Sequence, residues 1–143
     1  MMENDLLIFW TDGAYSGSKD KGGWSFYCPS YQLKVCSSEE HTTNNRMELM
    51  AAIKALEWIS DSNIPDRKIL IYSDSMYLVE TMNGRYQKKK NTDLWEQLDT
   101  LLELLFDKTI IWKHTNGHAK DNSLETKGNN VVDSLAVMAY NLI

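Results

Sequence analysis

Four carboxylates stand where they could do chemistry. Asp12 and Asp74 each follow an apolar, strand-like run, in FWTDG and LIYSDS. If those two strands lie parallel and adjacent, both side chains emerge at one edge of the sheet. In open α/β sheets that carboxyl-end edge is where ligands bind. Either aspartate alone reads equally well as a turn residue after a strand. Glu48 lies in TTNNRMELMAAIKALEWIS. At about 100° per residue, Arg46, Lys54 and Glu57 share one helix face, and Glu48 projects roughly opposite, beside Ala51, Ala52, Ala55 and Ile59. A carboxylate on a core-facing side is costly unless it is paired or holds a metal. The alternative is a capping role, since Asn45-x-x-Glu48 loosely fits a capping box. Asp133 sits among Val131, Val132, Leu135, Ala136 and Val137, at the border of polar and apolar faces; by itself it is an ordinary boundary residue. Acidic side chains converging without Cys or His ligands suit hard cations such as Mg²⁺ or Mn²⁺. Two such ions about 3.5–4 Å apart can clamp an in-line phosphoryl displacement. Carboxylates packed so closely repel one another, so the site is unfavourable until metal relieves it.

Positioning these groups takes a sheet and helices. LLIFWTDG, GGWSFYCP and YQLKVCSS read as three strands in quick succession, the last two around a Pro29-Ser30 turn, which predicts an antiparallel meander. TTNNRMELMAAIKALEWIS predicts an amphipathic helix started by Thr and Asn and broken by Ile64-Pro65-Asp66. RKILIYSDS is a further strand, SMYLVETMNG a short helix stopped by Gly84, and DLWEQLDTLLELLF another helix. TIIWKHT is the last strand and KGNNVVDSLAVMAYNLI the closing helix. Strands separated by helices imply parallel pairing. The expected fold is α/β: a mixed five-stranded sheet, three strands antiparallel and then parallel ones, flanked by helices.

The 143 residues fit one compact domain over 1–143, and 43% hydrophobic with 24% charged residues is the make-up of a water-soluble protein. No apolar run is long enough to span a membrane. The start, MMENDLLIFW, is acidic where a signal peptide would be basic, so a cytoplasmic protein is expected. Cys28 and Cys36 fit neither a disulfide framework nor a zinc spacing and read as reduced sheet residues. No exposed apolar seam is evident, which points to a monomer. The net charge of -5 argues mildly against a nucleic-acid partner, but a carboxylate-rich site lowers net charge and a local patch can still bind. The densest such patch is Arg85-Tyr86-Gln87-Lys88-Lys89-Lys90, which reads equally as a solvated turn.

Taken together, TDGAYSG, TTNNRMELMAAIKALE, YSDSMY, NGHAKD and GNNVVDSLA occur in an order that resembles the type 1 ribonuclease H family over nearly the whole chain. The helical segment is the most specific of the five. The resemblance implies a ribonuclease H-like fold. It also implies an endonuclease that hydrolyses the RNA strand of RNA–DNA hybrids with two metal ions, Mg²⁺ or Mn²⁺, leaving 5′-phosphate and 3′-hydroxyl ends. Asp12, Glu48, Asp74 and Asp133 would then be the metal ligands, Asp12 bridging the ions, Asp133 on the nucleophile side, Glu48 and Asp74 on the other. His118 would be the loop histidine that assists proton transfer or product release. Gly13, Ser18, Thr43, Asn44, Asn45, Lys88 and Lys89 would meet the hybrid, Thr43 at a DNA-strand phosphate and the asparagines in the minor groove.

The chain also departs from the family pattern. Gly17-Ser18-Lys19-Asp20 replaces Gly-Asn-Pro-Gly, and Met76 stands where bacterial enzymes carry a glutamine. Only GRYQKKKNT fills the space of the basic handle insertion, so weak, salt-sensitive hybrid binding is expected. The stretch from His118 to Asn129 is longer than in the common bacterial form. Exonucleases of similar fold usually carry Asp-x-Glu in the first motif, whereas Asp12 is followed by Gly13 and Ala14. A hybrid-binding module without catalysis would have no reason to keep four repelling carboxylates.

Overall fold

The computed structural model describes residues 6–116 and 121–142. Alternating apolar residues give β1 (Leu6–Ser16), which turns back into β2 (Lys21–Cys28). The Pro29-Ser30 turn is one turn of 3₁₀ helix, Pro29–Tyr31, closed by Gln32 in the left-handed region at φ 55°. β3 (Leu33–Glu40) completes the antiparallel meander, and the first helix, α1, spans Asn44–Ser62. β4 (Lys68–Ser73), α2 (Met76–Met82), α3 (Thr92–Leu104), β5 (Thr109–His114) and α4 (Leu124–Asn141) follow. The sheet order is β3-β2-β1-β4-β5, with β1–β4 and β4–β5 parallel. This is the mixed sheet expected from the order of elements. Among the described residues no helix is long and apolar enough to cross a membrane.

The pleat of β1 sorts its neighbours. Phe9 points to one face, where its ring lies 6.0 Å from Trp58 of α1. Trp10 points to the other, where its indole Nε1 donates to the Glu125 carbonyl of α4 at 2.9 Å. Successive strand residues alternate in this way, so α1 and α4 clasp the sheet from opposite sides. The main core lies under α1, where Phe9, Ile69 and Ile71 meet Leu49, Ile53, Leu56 and Ile59, all at most 1% exposed. Each such side chain contributes roughly 1.5–3 kcal/mol on burial. Trp95 and Leu98 of α3 close the outer side of that layer.

α1 starts at Thr43 and Asn44, as expected, and ends short of the Ile64-Pro65-Asp66 break. Its N-cap is Thr43, whose hydroxyl accepts from the Arg46 N–H at 3.1 Å. Asn45 is already helical, so the Asn45–Glu48 capping box does not form, and the Glu48 carboxylate is spent elsewhere. At the other end α1 stops at Ser62, with Asn63 in the left-handed region at φ 52°, before Pro65 is reached. Asn tolerates that conformation because its short polar side chain can satisfy local backbone groups.

Candidate active site

Thr11 of β1 pairs in parallel register with Ser73 of β4. The next residues, Asp12 and Asp74, therefore leave the sheet side by side at its carboxyl end. Glu48 reaches the same point from the second turn of α1. Asp12, Glu48 and Asp74 each offer one carboxylate oxygen such that the three lie within 4.8 Å of one another. Asp12 and Glu48 are 2% and 4% exposed, although each is a charged residue type. The cluster opens into a cleft of about 460 Å³ that Asp133 of α4 also lines.

Gly13 makes the convergence possible. Its N–H donates to Asp12 Oδ1 and to Glu48 Oε1, each at 2.9 Å. A Cβ there would lie 2.3 Å from the backbone N of Glu48 and 2.3 Å from the carbonyl carbon of Met47. Only a residue without a side chain lets α1 approach so closely. On the far face, α4 is set by the Ser25 hydroxyl, which donates to the Val132 carbonyl at 2.6 Å, and by Gly128 against the Trp10 indole. Those contacts fix the residue next to Asp133.

The electrostatics are those of like charges confined together. Burial, then the charges of Glu48, Asp74 and Asp133, push Asp12 far above the usual carboxylate range. Burial and then Asp74 push Glu48 up as well, against the opposing pull of the Gly13 N–H. A side-chain hydrogen bond joins Asp12 and Asp74. Protein alone thus favours proton sharing, and a divalent cation would favour the ionised set. The donors are all carboxylates, with no thiolate or imidazole among the clustered residues, so they fit a hard, oxygen-seeking divalent metal.

The remaining sequence candidates are distributed unevenly. Gly13, Asn44 and Asn45 line the cleft, while Thr43 is exposed beside it as the α1 cap. Ser18 sits on the exposed β1–β2 turn, its hydroxyl 3.2 Å from that of Ser16, and does not line the cleft. Lys88 and Lys89 lie in the exposed segment between α2 and α3, also outside it. Lys88 Nζ is held by both oxygens of Asp99, at 2.9 and 3.0 Å, over the Trp95 ring. His118 lies outside the described residues. Tyr15, Ser75, Met76 and Tyr77 also line the cleft. Tyr15 was legible in principle, since it shares a strand face with Gly13 by the two-residue period. Tyr77 was not: its hydroxyl accepts from Asn91 Nδ2 and Trp95 Nε1, partners distant in sequence.

Comparison with known proteins agrees with this architecture. The family model described as RNase H matches residues 4–141. A ribonuclease H of Maricaulis maris is 37% identical over 142 residues, covering 88% of this chain and 87% of that protein. A ribonuclease H of Ruthia magnifica is 32% identical, covering 96% and 97%. Among solved structures, LC11-RNase H1 in complex with an RNA/DNA hybrid superposes with a TM-score of 0.74 at 22% identity, covering 94% of this chain and 96% of that one. The sequence matches extend over nearly the whole of both partners, and the chain belongs to the ribonuclease H family.

Proposed function

We propose that the chain is an endonuclease that hydrolyses the RNA strand of RNA–DNA hybrids, with two Mg²⁺ ions, or Mn²⁺ in their place, held at the carboxylate cleft. One observation carries the reading: three carboxylates brought within 4.8 Å of one another, against their mutual repulsion, in an open cleft flanked by Asn44 and Asn45. Asp12, Glu48, Asp74 and Asp133 would hold the ions, which supply an activated water and stabilise the leaving oxygen.

The chain's own groups do the rest. The Gly13 N–H fixes one oxygen of Asp12 and one of Glu48, and both residues line the cleft. The start of α1 presents Thr43, Asn44 and Asn45 to the hybrid, where short polar side chains suit phosphate and minor-groove contacts. His118, in this reading, hands a proton to the departing 3′ oxygen or speeds product release. The products carry 5′-phosphate and 3′-hydroxyl ends. Strand choice rests on the ribose 2′-hydroxyl, the group that tells RNA from DNA. Ser18, Lys88 and Lys89 complete the proposed hybrid contacts. The chain would act as one domain and as a monomer in the cytoplasm; its free Cys28 and Cys36 suit a reducing compartment.

The test is a matched set of end-labelled substrates: RNA–DNA hybrid, double-stranded RNA, double-stranded DNA and single-stranded RNA, with Mg²⁺, Mn²⁺ or EDTA. Internal cuts confined to the RNA of the hybrid, and lost in EDTA, are expected. Progressive trimming from an end would make the chain an exonuclease, and retention without cutting would make it a binder.

A further inference from the structure

Two turns flank the cleft, and a set of three side chains ties them together. The β1–β2 turn carries Asp20, and the corner between β3 and α1 carries His41. The His41 backbone N–H donates to the Asp20 carbonyl at 3.0 Å. His41 Nδ1 lies 2.6 Å from Asp20 Oδ2, and the Tyr15 hydroxyl donates to Asp20 Oδ1 at 2.8 Å. Both Asp20 and His41 stand in the left-handed region, at φ 49° and 55°. Few residues without the freedom of glycine adopt that conformation, and here two meet face to face. The tie therefore depends on side chains that tolerate the strain while reaching each other. Tyr15 lines the carboxylate cleft, and His41 stands two residues before Thr43.

We propose that Asp20 and His41 form a latch that positions Tyr15 and the Thr43–Asn45 corner for the hybrid, and that protonated His41 closes it. This rests on the hybrid-cleaving reading above. Both residues act through their neighbours and are positioning residues. The groups facing His41 among the described residues are Asp20 and, beside it on β3, Glu40, both of which favour a cationic imidazole; the Tyr15 hydroxyl stands behind Asp20 and donates to it. Asp20 accordingly raises His41 above its ordinary value, and His41 lowers Asp20. The latch is therefore closed while His41 is protonated and Asp20 ionised, and it opens as pH rises through the raised His41 value.

The experiment combines three readouts on the full chain. Hybrid affinity is measured in EDTA by fluorescence anisotropy from pH 6 to 9, cleavage gives KM and kcat separately with Mg²⁺, and NMR follows the His41 ring directly. His41→Ala should raise KM and the dissociation constant at pH 6.5 by about two- to fivefold, the range an exposed ion pair supplies, with kcat little changed. His41→Asn tolerates positive φ and keeps a donor for Asp20 but cannot titrate. It should retain most of the low-pH affinity and lose the pH dependence that the parent shows. Asp20→Asn should return the His41 titration toward its ordinary value. An affinity profile that is the same in the parent, His41→Asn and His41→Ala overturns the latch while leaving the functional reading intact. A parent that binds no hybrid at any pH overturns the latch, and one that also cuts no hybrid with Mg²⁺ overturns both.

Discussion

Asp12, Glu48 and Asp74 crowd three like charges against the end of β1 and β4, two of them almost wholly out of water. The segment between α2 and α3 does the reverse. Arg85 pairs with Glu80 at 2.7 Å, Lys88 with Asp99 at 2.9 Å, and Arg46 reaches from α1 to grip Asp93 at 2.7 Å just beyond it. Arg85 and Lys88 are each matched by an acidic partner in water, where such a pair contributes about 0–1 kcal/mol. In the cleft like charges are crowded together, two of them in buried residues, so they cost stability until a cation arrives. The contrast separates a region shaped for its ligand from one shaped for the fold. Within the basic run, Arg85 and Lys88 hold acidic partners, whereas Lys89 and Lys90 form no ion pair among the described residues.

The sharpest way to break this contrast is to remove one cleft charge. Asp74→Asn keeps the shape of the side chain and should lower hybrid cleavage by at least about a hundredfold, the upper end for disturbing only a metal's surroundings. The same variant should melt at an equal or higher temperature than the parent in EDTA, because repulsion is relieved. Mg²⁺ should then raise its melting temperature less than the parent's. A variant that melts lower and keeps cutting would make Asp74 a structural turn residue.

Next in size is the close approach at Gly13. Gly13→Ala drives a methyl into the backbone of Met47 and Glu48 and should destabilise the protein by about 1–3 kcal/mol, the usual cost of overpacking. Activity should fall further than the lost stability explains, because the N–H that orients Asp12 and Glu48 is displaced. Denaturant midpoints and cleavage rates on the same samples check this; an unchanged midpoint would mean that α1 moves away freely.

The pH dependence of the metal-free protein is a third handle. The folded values of Asp12 and Glu48 are raised above the unfolded ones, which lie near about 3.9 and 4.3. Stability from their protonated forms is then fully present below about pH 4 and lost as pH rises through the folded values. Melting in EDTA should therefore fall as pH climbs from about 5 to 9, by at most about 1.4 kcal/mol per unit for each proton. Asp12→Asn should flatten the decline, and saturating Mg²⁺ should weaken or reverse it, since metal takes the deprotonated ligands. A metal-free protein that grows more stable over this range would contradict the crowding of the cleft.

The smallest effect belongs to the basic segment. Lys89→Ala with Lys90→Ala should raise KM modestly and flatten the salt dependence of hybrid binding by about 0.9 per lost phosphate contact. Lys88→Ala should change the slope less, because Asp99 already holds that ammonium. Equal slopes for both variants and the parent would show the run to be a solvated turn.

Sequence alone determined the order of elements, the hydrophobic faces and the four acidic positions. Periodicity is local, and Glu48 on an apolar helix face carries its oddity in its own spacing. Family motifs added what local pattern could not, the pairing of Asp12 with Asp74 across 62 residues of chain. Tertiary structure decided the rest. Whether Glu48 caps a helix or joins the carboxylate cluster depended on Thr43 taking the cap and on Gly13 standing opposite. Whether Lys88 is free depended on Asp99 of α3. The Tyr15–Asp20–His41 tie depended on two turns meeting in space. Each of these is a contact between segments that no periodicity relates. Only the register of β1 with β4 and the clasp of α1 and α4 on the sheet bring them within reach.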